Sequence, residues 1–407
     1  MTTAPMVRFL DRTTPPHVLT LILIAGISAL NMSIFLPSLS GMADYFAVDY
    51  AVMQLAVSGY LATTAALQIV IGPVSDRFGR RPVMIGSLII FILATIGAVL
   101  APTAGVFLAF RMVQGAIVTG IALSRAIVRD MVPQEQAASM LGYVTMGMAL
   151  VPMFGPMIGG FLDQLFDWHA TFIFLALCGA GVLALVISDQ GETVAGNGVG
   201  FAEQVRTYPE LLRSPRFWGY TLCLAFSAGA FFAFLGGASF VAGDIFGLSP
   251  LMTGMALGAP AIGYAIGNGL SGRYSVRAGV NRMVLIGAVL SGAGLAVSLV
   301  LTLNGMTNAV IFFGLCSFLG LGNGMTMPNA TAGLLSVRPH LAGTASGLGG
   351  AFMIGGGAVL SAATGTLLNV ETGAWPLLAI MLSSTLMSGL AILFVIWRAR
   401  QIGVTDT

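Results

Sequence analysis

The chain of 407 residues has no lysine; all seventeen of its basic side chains are arginine. Charged residues make up 8% of it and hydrophobic ones 57%, whereas a soluble protein carries roughly a quarter charged residues. With a mean hydropathy of +0.94, an ordinary soluble domain is excluded. Cysteine is scarce: Cys178, Cys223 and Cys316 fall inside apolar runs and far apart. That spacing suits neither a metal nor a disulfide framework, so buried thiols are expected. His17, His169 and His340 lie at the ends of runs. No small-residue cleavage site closes the first apolar run, which therefore reads as a membrane helix and not as a cleaved signal. The runs are continuously apolar, without the alternation a β-barrel needs.

What the chain does have is long intervals free of Asp, Glu and Arg: 13–43, 50–75, 136–162, 168–188, 217–243, 245–272, 339–370 and 372–397. Each is long enough for one span of about 20 residues. Two longer intervals need two spans apiece. One is 82–124, broken near "APT" (101–103) and interrupted by Arg111; the other is 283–337, broken near "NGMTN" (304–308). The reading is an all-α membrane protein of twelve transmembrane helices in two pseudo-symmetric six-helix bundles, 1–187 and 217–407. A cytoplasmic linker, 188–216, joins them, in which "FAEQVRTYPELL" suits a short amphipathic helix. With the N-terminus in the cytoplasm, sixteen arginines, Arg125 and Arg129 among them, fall in cytoplasmic segments and Arg111 alone inside a span. The positive-inside rule selects that orientation, with both termini cytoplasmic. All fifteen acids lie in loops or at span ends. An internal repeat supports the two halves: "SDRF" (75–78) matches "SGRY" (271–274) at an offset of 196, which sets Asp76 against Gly272.

Four charges crowd into "GPVSDRFGRRP" (72–82), between the second and third spans. Glycines there allow a tight turn and close helix approach, and Asp76 suits the positive N-terminal end of a helix from the other half. With twelve spans in two halves, this stretch resembles the signature of the major facilitator superfamily, G-x-x-x-D-R-x-G-R-R/K, here Gly72, Asp76, Arg77, Gly79, Arg80 and Arg81. The resemblance implies that Asp76 meets the start of the eleventh span near "GTASG" (343–347), while the arginines pair with Asp130. Together these make a cytoplasmic latch that holds one conformation and releases in the other.

The fourth span, "RMVQGAIVTGIALSRAIVRD" (111–130), resembles the R-x-x-Q-G motif of the superfamily's antiporters. Arg111 lies roughly 10–13 Å deep, where a guanidinium is costly unless it faces protein or a wet cavity. Gln114 shares its face. Two roles stay open at this point: bonding backbone carbonyls, or coupling substrate or protons from a cavity. In the fifth span, "GMALVPMFGPMIGG" (147–160), Pro152, Gly155, Pro156, Gly159 and Gly160 resemble the motif of exporters in this superfamily. "SRAIVRD" (124–130), "AGTASGLGG" (342–350) and "AWP" (374–376) resemble the bicyclomycin/chloramphenicol-resistance (Bcr/CflA) branch of drug:proton antiporters.

That resemblance implies a secondary transporter exporting small, moderately hydrophobic compounds by alternating access, driven by protons. One departure stands out. The branch carries an acid in the first span within M-D-x-Y-L-P; here "NMSIFLP" (31–37) places Ser33 at that position, and a serine cannot carry the proton a buried carboxylate would. A second reading therefore keeps the fold and makes the cargo an anionic metabolite, bound through Arg111 and moved by uniport or symport. Further polar residues within spans are Asn31, Gln54, Tyr60, Gln68, Asn268, Asn323 and Asn329, each either an interhelical bond or a ligand contact. Phe231, Phe232 and Phe234 offer an aromatic wall or lipid-facing packing. An intramembrane enzyme would need a nucleophile–base or metal constellation within the spans, for which no His, Asp or Glu is placed. The expected partners are a small-molecule substrate, protons and the lipid bilayer of a bacterial inner membrane. A monomer without cofactor, metal or nucleic acid is expected.

Overall fold

The computed structural model describes residues 7–131, 140, 144, 151, 154–193 and 201–401. Among them every regular element is a helix, as hydrocarbon demands: a buried segment must satisfy its own backbone N–H and C=O groups. The first span is α1 (Val18–Ser33), continued through a 3₁₀ turn (Leu36–Ser38) into α2 (Leu39–Tyr45). A short α3 (Tyr50–Met53) leads into α4 (Leu55–Phe78), the second span. Next come α5 (Arg80–Val99), then α6 (Ala104–Val113) and α7 (Val118–Met131), which a 3₁₀ stretch at Gln114–Ile117 joins into the fourth span. The fifth expected span lies largely outside the described residues, Pro152 included; its C-terminal part is α8 (154–165). The sixth is α9 (Trp168–Asp189).

The linker carries α10 (Phe201–Leu212), where the amphipathic helix was expected. Beyond it run α11 (Pro215–Phe240), α12 (Pro250–Leu257), α13 (Ala259–Ala278), α14 (Val280–Leu303), α15 (Ala309–Ser336), α16 (Ala342–Leu367) and α17 (Trp375–Gln401). Ten of the described helical segments are long and apolar enough to cross a membrane. The eighth expected span is divided at Gly258 into α12 and α13. Both long apolar intervals break where loop chemistry placed the breaks: Thr103 accepts from the Val106 N–H to open α6, and Asn308 accepts from the Ile311 N–H to open α15.

Inside the second group, α13 and α15 meet backbone to backbone. A Cβ on Gly263 would collide with the Ser317 carbonyl, and one on Gly320 with the Pro260 carbonyl; such reciprocal small-residue contacts stand in for a hydrophobic drive that lipid does not supply. The linker helix docks here too. Leu211 is fully buried against Phe217 and Tyr220, and Glu210 pairs with Arg338 at 3.1 Å. Cys223 and Cys316 are buried and Cys178 is half-buried, all three as free thiols.

The internal repeat falls in a different register from the sequence match. Gly79 and Gly279 both have positive φ, +94° and +85°, and both donate their N–H to the serine four residues back, Ser75 and Ser275, at 3.0 and 2.9 Å. These helix-ending glycines align at an offset of 200, one turn beyond 196. Gly72, Ser75, Arg77 and Gly79 then match Gly272, Ser275, Arg277 and Gly279. Asp76 therefore lies opposite Val276, which is 95% exposed, and not opposite Gly272. A short string comparison cannot feel the cap geometry that fixes this register.

Gly320→Val should force α13 and α15 apart and cost roughly 1–3 kcal/mol, read as a lower melting temperature of the detergent-purified protein. Gly314→Val, with open space around its Cα, should leave that temperature unchanged.

Candidate functional site

At the end that the arginine distribution leads one to expect in the cytoplasm, the charged stretch ties four spans together. Arg80 is its hub, 8% exposed. Its Nη1 reaches Asp76 Oδ1 and donates to Ser75 Oγ, both at 2.5 Å, and its Nε meets Asp130 Oδ2 at 3.0 Å. The end of α4, the start of α5 and the end of α7 are thereby pinned. Arg81 Nη2 donates to the Ile187 carbonyl at 3.0 Å, which adds α9. Arg77 lies exposed beside the Phe78 ring. Sequence reasoning missed the fifth partner. Glu192, just past α9, accepts from the Arg80 and Arg81 backbone N–H groups at 2.9 and 3.2 Å. It thus caps the positive end of α5. Gly79 is required twice over, for its positive φ and because a Cβ there would run into the Glu192 carboxylate.

Asp76 faces Arg80 in this conformation, and α16 begins at Ala342 behind Leu341, which offers no side-chain cap. Gly72 and Gly347, the glycines nearest the expected latch contact, each have open space where a Cβ would be.

Deeper in, Arg111 is fully buried. Nε donates to the Ala56 carbonyl at 3.1 Å, Nη1 to Asn31 Oδ1 and Gln114 Oε1 at 2.8 and 2.7 Å, and Nη2 to the Asn31 carbonyl at 2.9 Å. Phe35 and Tyr60 cover its plane, with ring centroids at 4.3 and 4.2 Å. Gln114 is held in turn by Thr95, 2.8 Å away. The guanidinium thus exchanges water for dipoles and π-faces, an exchange that arginine's diffuse charge tolerates. Ser33 is buried as well, but on the opposite side of α1, where Gly155 approaches its Oγ. Ser33 and Arg111 are therefore not brought together, whereas Asn31, Tyr60, Gln114 and Arg111 are.

The other polar candidates divide. Asn323 bonds Ser227 through both ends of its amide, at 2.6 and 3.1 Å, and so joins α15 to α11. Asn329 donates to Ser271 at 2.7 Å, and Asn268 turns back onto the Tyr264 carbonyl of its own helix. Gln68 packs beside Gly350 on α16. Phe232 fills the space over Gly357, and Phe234 is buried against Phe313.

Among the described residues, the hydrogen bonds joining the two groups of helices gather at the end opposite the charged stretch, the expected outer side. The Tyr50 hydroxyl donates to the Gly236 carbonyl at 2.7 Å, Ser239 to the Leu36 carbonyl at 2.5 Å, and Ser40 to Asp244 at 2.7 Å. Gln54, 1% exposed, donates to both the carbonyl and the hydroxyl of Ser361 at 2.6 and 2.7 Å. Gly236 and Gly365 leave the slot its amide occupies. The fifth-span residues reach the same seam. A Cβ on Gly159 would meet the Ile34 backbone and one on Gly160 the Pro250 backbone, while Gly254 faces the Pro156 carbonyl. Gly160 and Gly254 thus form a reciprocal contact across the two groups.

The family model described as Major Facilitator Superfamily matches residues 21–362. The chain belongs to the major facilitator superfamily. Multidrug resistance protein D of Escherichia coli is 30% identical over 353 residues, 84% of this chain and 87% of that one. The bicyclomycin resistance protein homolog of Haemophilus influenzae is 28% identical over 93% of this chain and 95% of its own. Both agree with the Bcr/CflA resemblance of the loops. The fold matches the crystal structure of the peptide transporter POT in complex with sulfate at a TM-score of 0.76 and 14% identity, over 96% of each chain.

Two outcomes follow for this superfamily member. Arg111→Ala leaves the Asn31 and Gln114 oxygens buried without their donor, and should cost roughly 1–3 kcal/mol or more of stability; thermal unfolding in detergent reads it. Gln54→Leu should loosen the outer seam, lengthening the distance between spin labels on Tyr45 and Met252 in part of the population. An unchanged distance distribution would show that the seam holds without Gln54.

Proposed function

We propose that this protein exports small, moderately hydrophobic compounds, including antibiotics, across a bacterial inner membrane by alternating access with protons moving inward. The observation that carries the reading is the asymmetry of the two ends. Cross-group bonds gather at one end, among them Tyr50 on Gly236 and Gln54 on Ser361, while at the other end Asp76 pairs with Arg80 of its own group of helices. Names of relatives that speak of multidrug and bicyclomycin resistance supply the cargo class.

In this reading residues 1–187 and 217–407 are the rocking bundles and 188–216 the linker, with both termini in the cytoplasm as the arginine distribution supports. Closing the cytoplasmic end moves Asp76 from Arg80 to the N-terminal end of α16, whose unpaired N–H groups attract a carboxylate. Ser33 has no acid to offer, so the coupling proton is assigned to Asp76, which gains or loses its charge partners in each cycle. Arg111 serves as a clamp on α1, α4 and α6, its donors already engaged by protein, which speaks against a cargo bound through it.

Everted vesicles holding a proton gradient, reported by a fluorescent dye, test this. Adding a phenicol or bicyclomycin should partly collapse the gradient in vesicles with the wild-type protein, and Asp76→Asn should abolish that response. If none of the compounds alters the gradient while labelled drug still accumulates, export is uncoupled from protons. If no drug accumulates either, the export reading fails.

A further inference from the structure

The stretch before the first span carries a structure of its own. Between Arg8 and Thr14 the chain closes into a knot. The Asp11 N–H donates to the Arg8 carbonyl at 3.3 Å, the Thr14 N–H to the Asp11 carbonyl at 3.0 Å, and the Arg8 N–H to Thr14 Oγ1 at 3.3 Å. This knot is fastened to the end of the sixth span. Asp189, the last residue of α9, is fully buried. Its Oδ1 accepts from the Leu10 N–H at 2.7 Å, and its Oδ2 from the His17 N–H at 2.9 Å and the Thr20 hydroxyl at 2.6 Å. The Gly191 N–H donates to the Thr14 carbonyl at 3.1 Å, and a Cβ on Gly191 would collide with that same oxygen. Three donors satisfy the buried carboxylate, and the knot is held from two sides.

What the knot displays is not what its own packing needs. Phe9 is 49% and Leu10 55% exposed, and Arg8 and Arg12 are exposed beside them. Leu10 takes a φ of +60°, a left-handed conformation that costs a leucine. Among the described residues neither guanidinium closes an ion pair. Asp11, the acid between them, is engaged by the N–H and hydroxyl of Thr13 at 3.0 and 2.6 Å. The Phe9 ring sets its edge against His17, the residue that caps α1, at 5.3 Å. The knot therefore sits where the first span begins, and on that span Leu19 and Leu23 are exposed, as lipid-facing residues are. Arginines beside exposed apolar side chains, at the level where a span begins, have the composition of an interfacial anchor.

We infer that the 8–14 knot is a docking site for anionic phospholipid, with Arg8 and Arg12 on the phosphate and Phe9 and Leu10 among the first acyl carbons. The planar guanidinium fork matches phosphate oxygens. Because Asp189 already clamps the backbone, binding does not have to order the segment, which removes one cost of association. Glu192, which caps α5, lies three residues past Asp189, so a lipid seated on the knot also steadies the junction around Arg80. The inference needs a membrane around the helices and rests on neither the direction nor the cargo of transport.

Native mass spectrometry of the full-length protein, released from nanodiscs of phosphatidylglycerol and phosphatidylcholine in equal parts, reads which lipid is retained. The wild type should retain phosphatidylglycerol in preference. Arg8→Gln combined with Arg12→Gln should lower that preference about fivefold or more, the worth of an arginine near an anionic surface. The same loss of charge through Arg273→Gln and Arg277→Gln, both also exposed, should leave it unchanged. Phe9→Ser with Leu10→Ser should reduce the total lipid retained. Equal falls for the two arginine pairs, or no fall for the first, overturn the inference. Thermal unfolding in detergent supplies a second reading. Added phosphatidylglycerol should raise the melting temperature of the wild type and not of the Arg8 and Arg12 double variant, and inorganic phosphate should raise neither. A rise with phosphate equal to that with the lipid would assign the site to a free anion and overturn the lipid reading.

Discussion

Hydrocarbon solvates neither charge nor an open backbone group, and the architecture follows from that one constraint. Charge is driven to the ends of the helices, where it cannot avoid proximity to other charge, so the ends become ion-pair junctions. The knot around Arg80 is the densest of these. Its worth is not the energy of any one pair, since partly exposed pairs contribute little singly. It lies in joining α4, α5, α7 and α9 through two adjacent guanidinium groups, Arg80 and Arg81, and one capping carboxylate, so that these four helix ends are tied to one another. Arg111 obeys the same constraint by another route, with carbonyl dipoles and aromatic faces in place of water.

Where charge is excluded, helices are held by close approach, and the seam between the two groups of helices shows what that demands. Gly160 against Pro250 and Gly254 against Pro156 bring backbones to a separation that any side chain would forbid. Tyr50 and Gln54 add directional bonds at the same level. The opposite end of the helices uses charge where this seam uses glycine, and there the Arg80 ion pairs join α4, α5 and α7 to one another and not to the other group.

Span positions were legible because exclusion of charge writes them directly into the sequence, and the breaks at Thr103 and Asn308 were legible because caps need particular side chains. The Arg80–Asp130 pair was legible from the motif. The register of the repeat was misread, since a four-residue shift preserves the helical face and the short match at 196 hid the Gly72, Ser75, Arg77 and Gly79 correspondences that the positive-φ glycines then fix. Glu192 was not legible: it lies 112 residues from its partner in a polar linker, and a lone acid there carries no signal. The enclosure of Arg111 was invisible because Phe35, Asn31 and Tyr60 reach it from two other spans.

Asn31 and Ser33 show how one helix separates two tasks. They lie two residues apart on opposite faces of α1, Asn31 holding Arg111 and Ser33 lying against Gly155. A carboxylate at 33 would face the fifth span and not the arginine, so replacing it with serine leaves the Arg111 clamp intact. Two residues apart on an α-helix means about 200° apart around its axis, so what occupies position 33 is free to vary without touching the groups that hold the arginine.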